Sequence, residues 1–153
     1  MNKIIPEERS RMARQYFKDG YNCSQSVVMA FSDILGITAG QAAAFALGFG
    51  GGIGRLREVC GAFSGAAFIS GTIEKDKKAC YALVQEFAGK FREENGSIVC
   101  RDLLKLRADQ HDSPVPSERT AEWYTSRPCE RLVGCSARIV AEKLLDITSQ
   151  EQP

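Results

Sequence analysis

The apolar residues of this chain recur at helical spacing almost from end to end and nowhere alternate long enough to make a strand. That pattern restricts the fold to helices packed on helices. Its punctuation is clear. "PEERSRMARQYFKD" (6–19) opens on Pro6 and early acids and stops before Gly20. "NCSQSVVMAFSDIL" (22–35) has Asn22 to cap it and Gly36 to end it. Thr38 caps "AGQAAAFAL", a glycine run over 48–54 interrupts, and a small-residue helix is expected over 58–70. "KDKKACYALVQEFAGKFREEN" makes a long amphipathic helix closed by Gly96, and Ser97 caps "IVCRDLLKL". Residues 107–124 hold Pro114, Pro116 and no period, which predicts a loop. Pro128 opens the final helix, "RPCERLVGCSARIVAEKLLDI". The expectation is all-α: a compact single-domain helical bundle over 1–153, with about six or seven helices, the longest within 75–95 and 128–147.

A chain of 153 residues buries about two-thirds of its unfolded surface, so it needs neither disulfide nor metal merely to fold. A net charge of +1 supplies no basic field for nucleic acid and no polybasic patch for a membrane. No run reaches the ~18 apolar residues of a membrane span. The opening "MNKIIPEERSRMARQYF" is charged and lacks the apolar centre of a signal peptide, so a cytoplasmic protein is expected. Six cysteines in a reducing compartment favour metal or redox work over a disulfide framework.

Four of those cysteines share a position type. Cys23 follows the cap Asn22, Cys60 opens the small-residue helix, Cys100 lies in the first turn after Ser97, and Cys129 follows Pro128. Unpaired N–H groups and the helix dipole at such starts favour thiolate and lower a thiol's pKa. Arg57, Arg101, Arg127 and Arg131 act the same way if they face the sulfurs. Cys80 keeps step with Leu83, Val84, Phe87 and Phe91 and reads as packing. Cys135 lies about 120° around its helix from Cys129, so one face cannot direct both into one site; it too reads as packing.

Gly50, Gly51, Gly52 and Gly54 permit positive φ and let backbone N–H groups approach a bound group, with Gly61 beside Cys60. Gly61 and Gly65 also make a bare helix face, which a tight helix–helix corner or a homodimer could use. The glycine run fits neither the dinucleotide fingerprint nor a phosphate-binding loop. His111 reads as solvated, Glu93 and Glu94 as solvated charges, and Trp123 and Tyr124 as anchors of the loop on the core.

These residues resemble the C_GCAxxG_C_C family, whose members are described as redox-active. The matching pieces are "YNCSQSVVMAF", "FGGGIGRLREVCGAFSG", "CRDLL" and "CERLV", spanning about residues 15–147. The resemblance implies a redox role for four cysteines, carried here by Cys23, Cys60, Cys100 and Cys129. The motif is also similar to the cluster-bearing part of split-Soret cytochromes, which implies an iron–sulfur site of the [2Fe–2S] type. There is no Cys-x-x-Cys-His, so no haem is expected. Four functions stay open: a [2Fe–2S] electron-transfer protein with an unknown redox partner, a thiol–disulfide protein, a structural zinc site on the same four sulfurs, and a helical dimerisation module with no cofactor.

Overall fold

The computed structural model describes residues 3–107 and 112–151. Six helices of seven or more residues carry the fold: α1 (Pro6–Lys18), α2 (Cys23–Met29), α4 (Ala39–Ala46), α5 (Gly61–Ile73), α6 (Lys77–Asn95) and α9 (Cys129–Gln150). Three shorter ones join them: α3 (Ser32–Leu35), α7 (Cys100–Leu103) and α8 (Ala121–Ser126). Among the described residues there is no strand, only an isolated antiparallel bridge between Val59 and Val99. The all-α expectation holds, and the longest helices, α6 and α9, lie where periodicity put them.

The caps explain the boundaries. Pro6 stands in the first turn of α1 with Glu7 and Glu8. Asn22 and Gln25 form a capping box at α2, each backbone N–H donating to the other's side chain at 2.9 Å. Thr38 and Gln41 repeat it at α4. Asp76 caps α6, and left-handed Gly96 ends it.

α2 is the central helix: Ser24 to Met29 are all buried. α1 lies along α9, and α5 packs on α2 and α6. Phe17, Val27, Phe31, Phe63, Ile69, Phe87, Phe91, Leu132, Val133 and Val140 fill the core between them.

Four expectations are corrected. The helix expected over 22–35 breaks at Phe31 into α2 and α3. Buried Arg9 reaches in at the break: it donates to the Ala30 carbonyl at 2.7 Å and grips Asp33 with two bonds of 2.6 and 2.8 Å. The small-residue helix begins at Gly61 and not near 58, because Val59 is held extended against Val99. The same pairing holds α7 to Cys100–Leu103; Ser97 serves as a turn residue, its Oγ accepting from the Val99 N–H at 2.9 Å, and not as the cap. Finally, α8 begins inside the expected loop and runs two residues past it, with the Thr120 side chain accepting from the Trp123 N–H at 3.1 Å.

Candidate functional site

Cys23, Cys60, Cys100 and Cys129 line one cavity of about 80 Å³. Each stands at a helix start: Cys23, Cys100 and Cys129 are first residues of α2, α7 and α9, and Cys60 is the residue capping α5. Two mountings bring them together. The Val59–Val99 bridge sets Cys60 beside Cys100; the Cys60 N–H donates to the Ile98 carbonyl at 2.8 Å and the Cys100 N–H to the Glu58 carbonyl at 2.6 Å. Cys23 and Cys129 come from α2 and α9, which pack on each other.

The glycine loop forms part of the wall. Gly51 and Gly52 have φ of +67° and +70° and line the sulfur cavity. A Cβ on Gly52 would stand 2.6 Å from Cys100 Cβ and 2.8 Å from Arg57 Cα, so only glycine leaves the space. Gly61 is nearly as confined: a Cβ there would meet the Phe49 carbonyl at 3.0 Å and Cys23 Cβ at 3.2 Å. Phe17, Trp123 and Leu132 supply apolar wall.

Arginines surround the sulfurs. Arg57 is buried; its Nη1 donates to Cys100 Sγ at 3.7 Å while Nε donates to Asp112 at 2.7 Å. Arg55 donates to the same carboxylate at 3.0 Å. Arg119 and Arg127 also line the cavity. Arg119 is fixed by the Phe17 and Tyr21 carbonyls, at 3.0 and 3.1 Å, and lies 4.3 Å over the Trp123 ring. Arg101 and Arg131 do not line it; Arg131 donates to Asn95.

Helix starts do not lower all four thiols, as their position alone predicts. The hydrogen bond from Cys23 brings Cys129 down to about 7, helped by Arg127, Arg57 and Arg119 and opposed by burial. The same bond, with burial, pushes Cys23 well above its ordinary 9.0. Burial drives Cys60 up to about 12, against the Phe63 and Ala62 N–H groups. Burial also raises Cys100, against the Arg57 hydrogen bond and charge. At Cys60 and Cys100 desolvation of the thiolate is the dominant cause, at Cys100 even with Arg57 donating to the sulfur.

A family model described as "Putative redox-active protein (C_GCAxxG_C_C)" matches residues 21–143. The chain belongs to this family. No curated protein and no solved structure matches it. The matched span carries all four cavity cysteines and the glycine loop. No helix among the described residues is long and apolar enough to cross a membrane.

The other sequence candidates of this C_GCAxxG_C_C protein lie apart. Gly50 and Gly54 line a neighbouring cavity and not the sulfur one. Cys80 is half-buried and outside the core, because its place near the start of α6 precedes the stripe that Leu83 begins. Cys135 is buried as expected, but among polar groups: it donates to Glu94 at 3.0 Å and accepts from Asn95 at 3.4 Å. Glu94 is therefore no free solvated charge; it also pairs with Arg138. Glu93 is exposed. Gly61 and Gly65 make their close approach within the chain, against Cys23, Ser24 and Val27 of α2, so that face is not bare. Trp123 and Tyr124 do anchor their segment, Trp123 stacked on Phe17 at 5.7 Å and Tyr124 edge-on at 5.8 Å. His111 lies outside the described residues. A cleft of about 620 Å³ beside α7 and α8 contains none of the cysteines. Among the described residues, no three Cys, His, Asp or Glu side chains are grouped to hold a single metal ion.

Arg119 and Asp112 are the site residues that sequence reasoning missed. Arg119 sits between Glu118 and Thr120 and reads as an ordinary surface charge. No spacing rule connects residue 112 or 119 to a cysteine.

Proposed function

We propose that this protein transfers electrons through a [2Fe–2S] cluster held by Cys23, Cys60, Cys100 and Cys129. The observation that carries the reading is the single cavity that all four line. The donor set fits: four thiolates suit a [2Fe–2S] centre. The wall fits too, since Gly52, lacking a Cβ, lets the loop backbone pack directly against Cys100. The arginine surround suits a dianion. A single zinc ion needs all its sulfurs about 2.3 Å from one point, whereas a diiron centre asks only two sulfurs of each iron. The two separate mountings of the cysteines, one pair on the Val59–Val99 bridge and the other on packed helices, favour the second demand.

When bound, the cluster would supply one-electron redox chemistry. The chain supplies the rest. Phe17, Leu132 and Trp123 keep water from the sulfurs. Arg57, anchored on Asp112, donates to Cys100 Sγ and stabilises its thiolate. The protons on Cys60 and Cys100, held by burial, and on Cys23, held by its bond to Cys129 and by burial, have to leave on ligation, so loading is favoured by rising pH.

One observation favours a second reading, thiol–disulfide exchange. Cys129, down to about 7, is hydrogen-bonded to Cys23. Oxidation of the Cys129 thiolate with the Cys23 thiol would form one S–S bond, release the Cys23 proton and pass two electrons to a two-electron acceptor. Iron and acid-labile sulfide analysis with an absorption spectrum, on anaerobically purified protein, separates the readings. Two irons and two sulfides per chain, lost in Cys60→Ser and kept in Cys80→Ser and Cys135→Ser, are expected. Iron-free protein with a reversible Cys23–Cys129 disulfide overturns the cluster in favour of exchange. Equal loss in all six single mutants, with folding intact, defeats the division of the cysteines.

A further inference from the structure

Beside the sulfur cavity lies a second one, of about 250 Å³, whose composition points to a ligand of its own. Arg55, Arg57, Arg119 and Arg127 all line it, and among the described residues no aspartate or glutamate does. Their charges are poorly balanced. Among the described residues Asp112 is the one carboxylate hydrogen-bonded to any of the four, and it serves both Arg55 and Arg57. Arg119 spends its donors on backbone carbonyls and the Tyr124 hydroxyl, which carry no charge. Arg127 has no acceptor among the described residues; it lies 5.0 Å over the Trp123 ring. Four positive charges therefore face one negative one.

Two further observations separate this cavity from an ordinary basic surface. Arg55 Nε is buried without a hydrogen-bond partner, so one residue of the cavity wall carries an uncompensated donor. Arg55 and Arg57 are also presented by strained backbone, with φ of +65° and +61°, as Ile53 is at +67°. Non-glycine residues in that region persist where surrounding structure forces them, commonly at ligand sites.

We propose that this cavity binds a small organic oxyanion, a carboxylate or phosphate head on a short apolar body. Arg127, whose guanidinium has no acceptor among the described residues, takes the head, and Arg55, Arg57 and Arg119 add positive charge beside it. Leu47, Pro114, Pro116 and Trp123 supply an apolar side for the body. The volume is below the ~300 Å³ at which drug-sized pockets begin, so the ligand is small. Arg57, Arg119, Arg127 and Trp123 line both cavities, which sets the oxyanion next to the sulfurs. Its service as a redox substrate or modulator rests on the electron-transfer reading; its binding does not.

The test is calorimetric titration of anaerobically purified protein with phenyl phosphate and with benzoate, at constant ionic strength set by sodium chloride. Fluorescence of Trp123, the chain's one tryptophan, is the second readout. Saturable binding of at least one probe with a Kd of about 1 mM or tighter is expected, and the tighter probe identifies the head group. Arg127→Gln should weaken it about tenfold or more. Arg131→Gln, which removes the same charge outside the cavity, should leave it unchanged. No saturation by either probe below about 10 mM overturns the proposal, as does equal binding by wild type and Arg127→Gln. Circular dichroism of both variants checks folding. Iron content of the same samples reports on the cluster separately, so either idea can fail alone.

Discussion

Replacing Gly52 by alanine tests how tightly the glycine loop is built against the sulfurs. Two costs add. Gly52 has φ of +70°, and holding alanine in the left-handed region costs about 1–2 kcal/mol. The new Cβ would also lie 2.6 Å from Cys100 Cβ and 2.8 Å from both Arg57 Cα and Glu58 N. Two of those neighbours are backbone and cannot swing away, so overpacking adds about 1–3 kcal/mol. The sum is about 2–5 kcal/mol. Gly54 is the matched control: its φ is +54° but nothing lies within 4 Å of its Cβ, so Gly54→Ala pays only the conformational part. In a chain of this size 1 kcal/mol moves the Tm by about 2–4 °C. Gly52→Ala should therefore melt about 4–20 °C below wild type and Gly54→Ala about 2–8 °C below. The assay is thermal melting by circular dichroism on reduced, cluster-free protein, so that lost metal does not enter the comparison. Equal melting of the two variants would refute the claim that the loop is packed hard against Cys100.

Arg9→Met strands the Ala30 carbonyl and should cost about 1–3 kcal/mol by urea unfolding at neutral pH. Its Arg9 hydrogen bonds hold Asp33 below the ordinary 3.8, so wild-type stability from this pair is present above about pH 4 and lost as pH falls through the lowered value. The gap between wild type and Arg9→Met should accordingly narrow in acid. In reduced, cluster-free protein, thiolate absorbance should titrate one group near pH 7, assigned to Cys129, and Cys23→Ala should move it upward because its hydrogen-bond donor is gone. Cys60, raised to about 12, gives the opposite linkage: its contribution is intact below the ordinary 9.0 and lost as pH rises from 9 towards 12. The urea midpoint of reduced protein should therefore fall above about pH 9, and Cys60→Ala should flatten that decline.

Helix starts were legible because they rest on local chemistry. Asn22, Thr38 and Gly96 act within four residues of themselves, and the sequence displays each such set whole. The four cysteines were legible for the same reason, since each occupies a helix start. What the sequence hid depends on distant partners. The break at Phe31 is tied to Arg9, which reaches Ala30 across 21 residues. The Val59–Val99 bridge shortens two helices, yet neither valine departs from helical spacing strongly enough to announce it. Arg119 reaches Phe17 across 102 residues. Thiol pKa values were misjudged because burial, the dominant cause at Cys60 and Cys100, is a tertiary property. Cys135 went unrecognised as a polar contact because Glu94 belongs to another helix.

The Val59–Val99 bridge gives the site an uneven stiffness. Cys60 and Cys100 are the two amide donors flanking that bridge, so the distance between them is ruled by main-chain hydrogen bonds, which tolerate little stretch. Cys23 and Cys129 are spaced instead by side chains packed between two helices, an arrangement that slides more readily. Any change in the size of whatever the sulfurs enclose would then be taken up on the helical side. α9 runs from Cys129 to Gln150, so a small tilt at its first residue becomes a larger sweep at its far end. The rigid pair would act as the anvil and the long helix as the lever, carrying the state of the sulfurs to a surface remote from them.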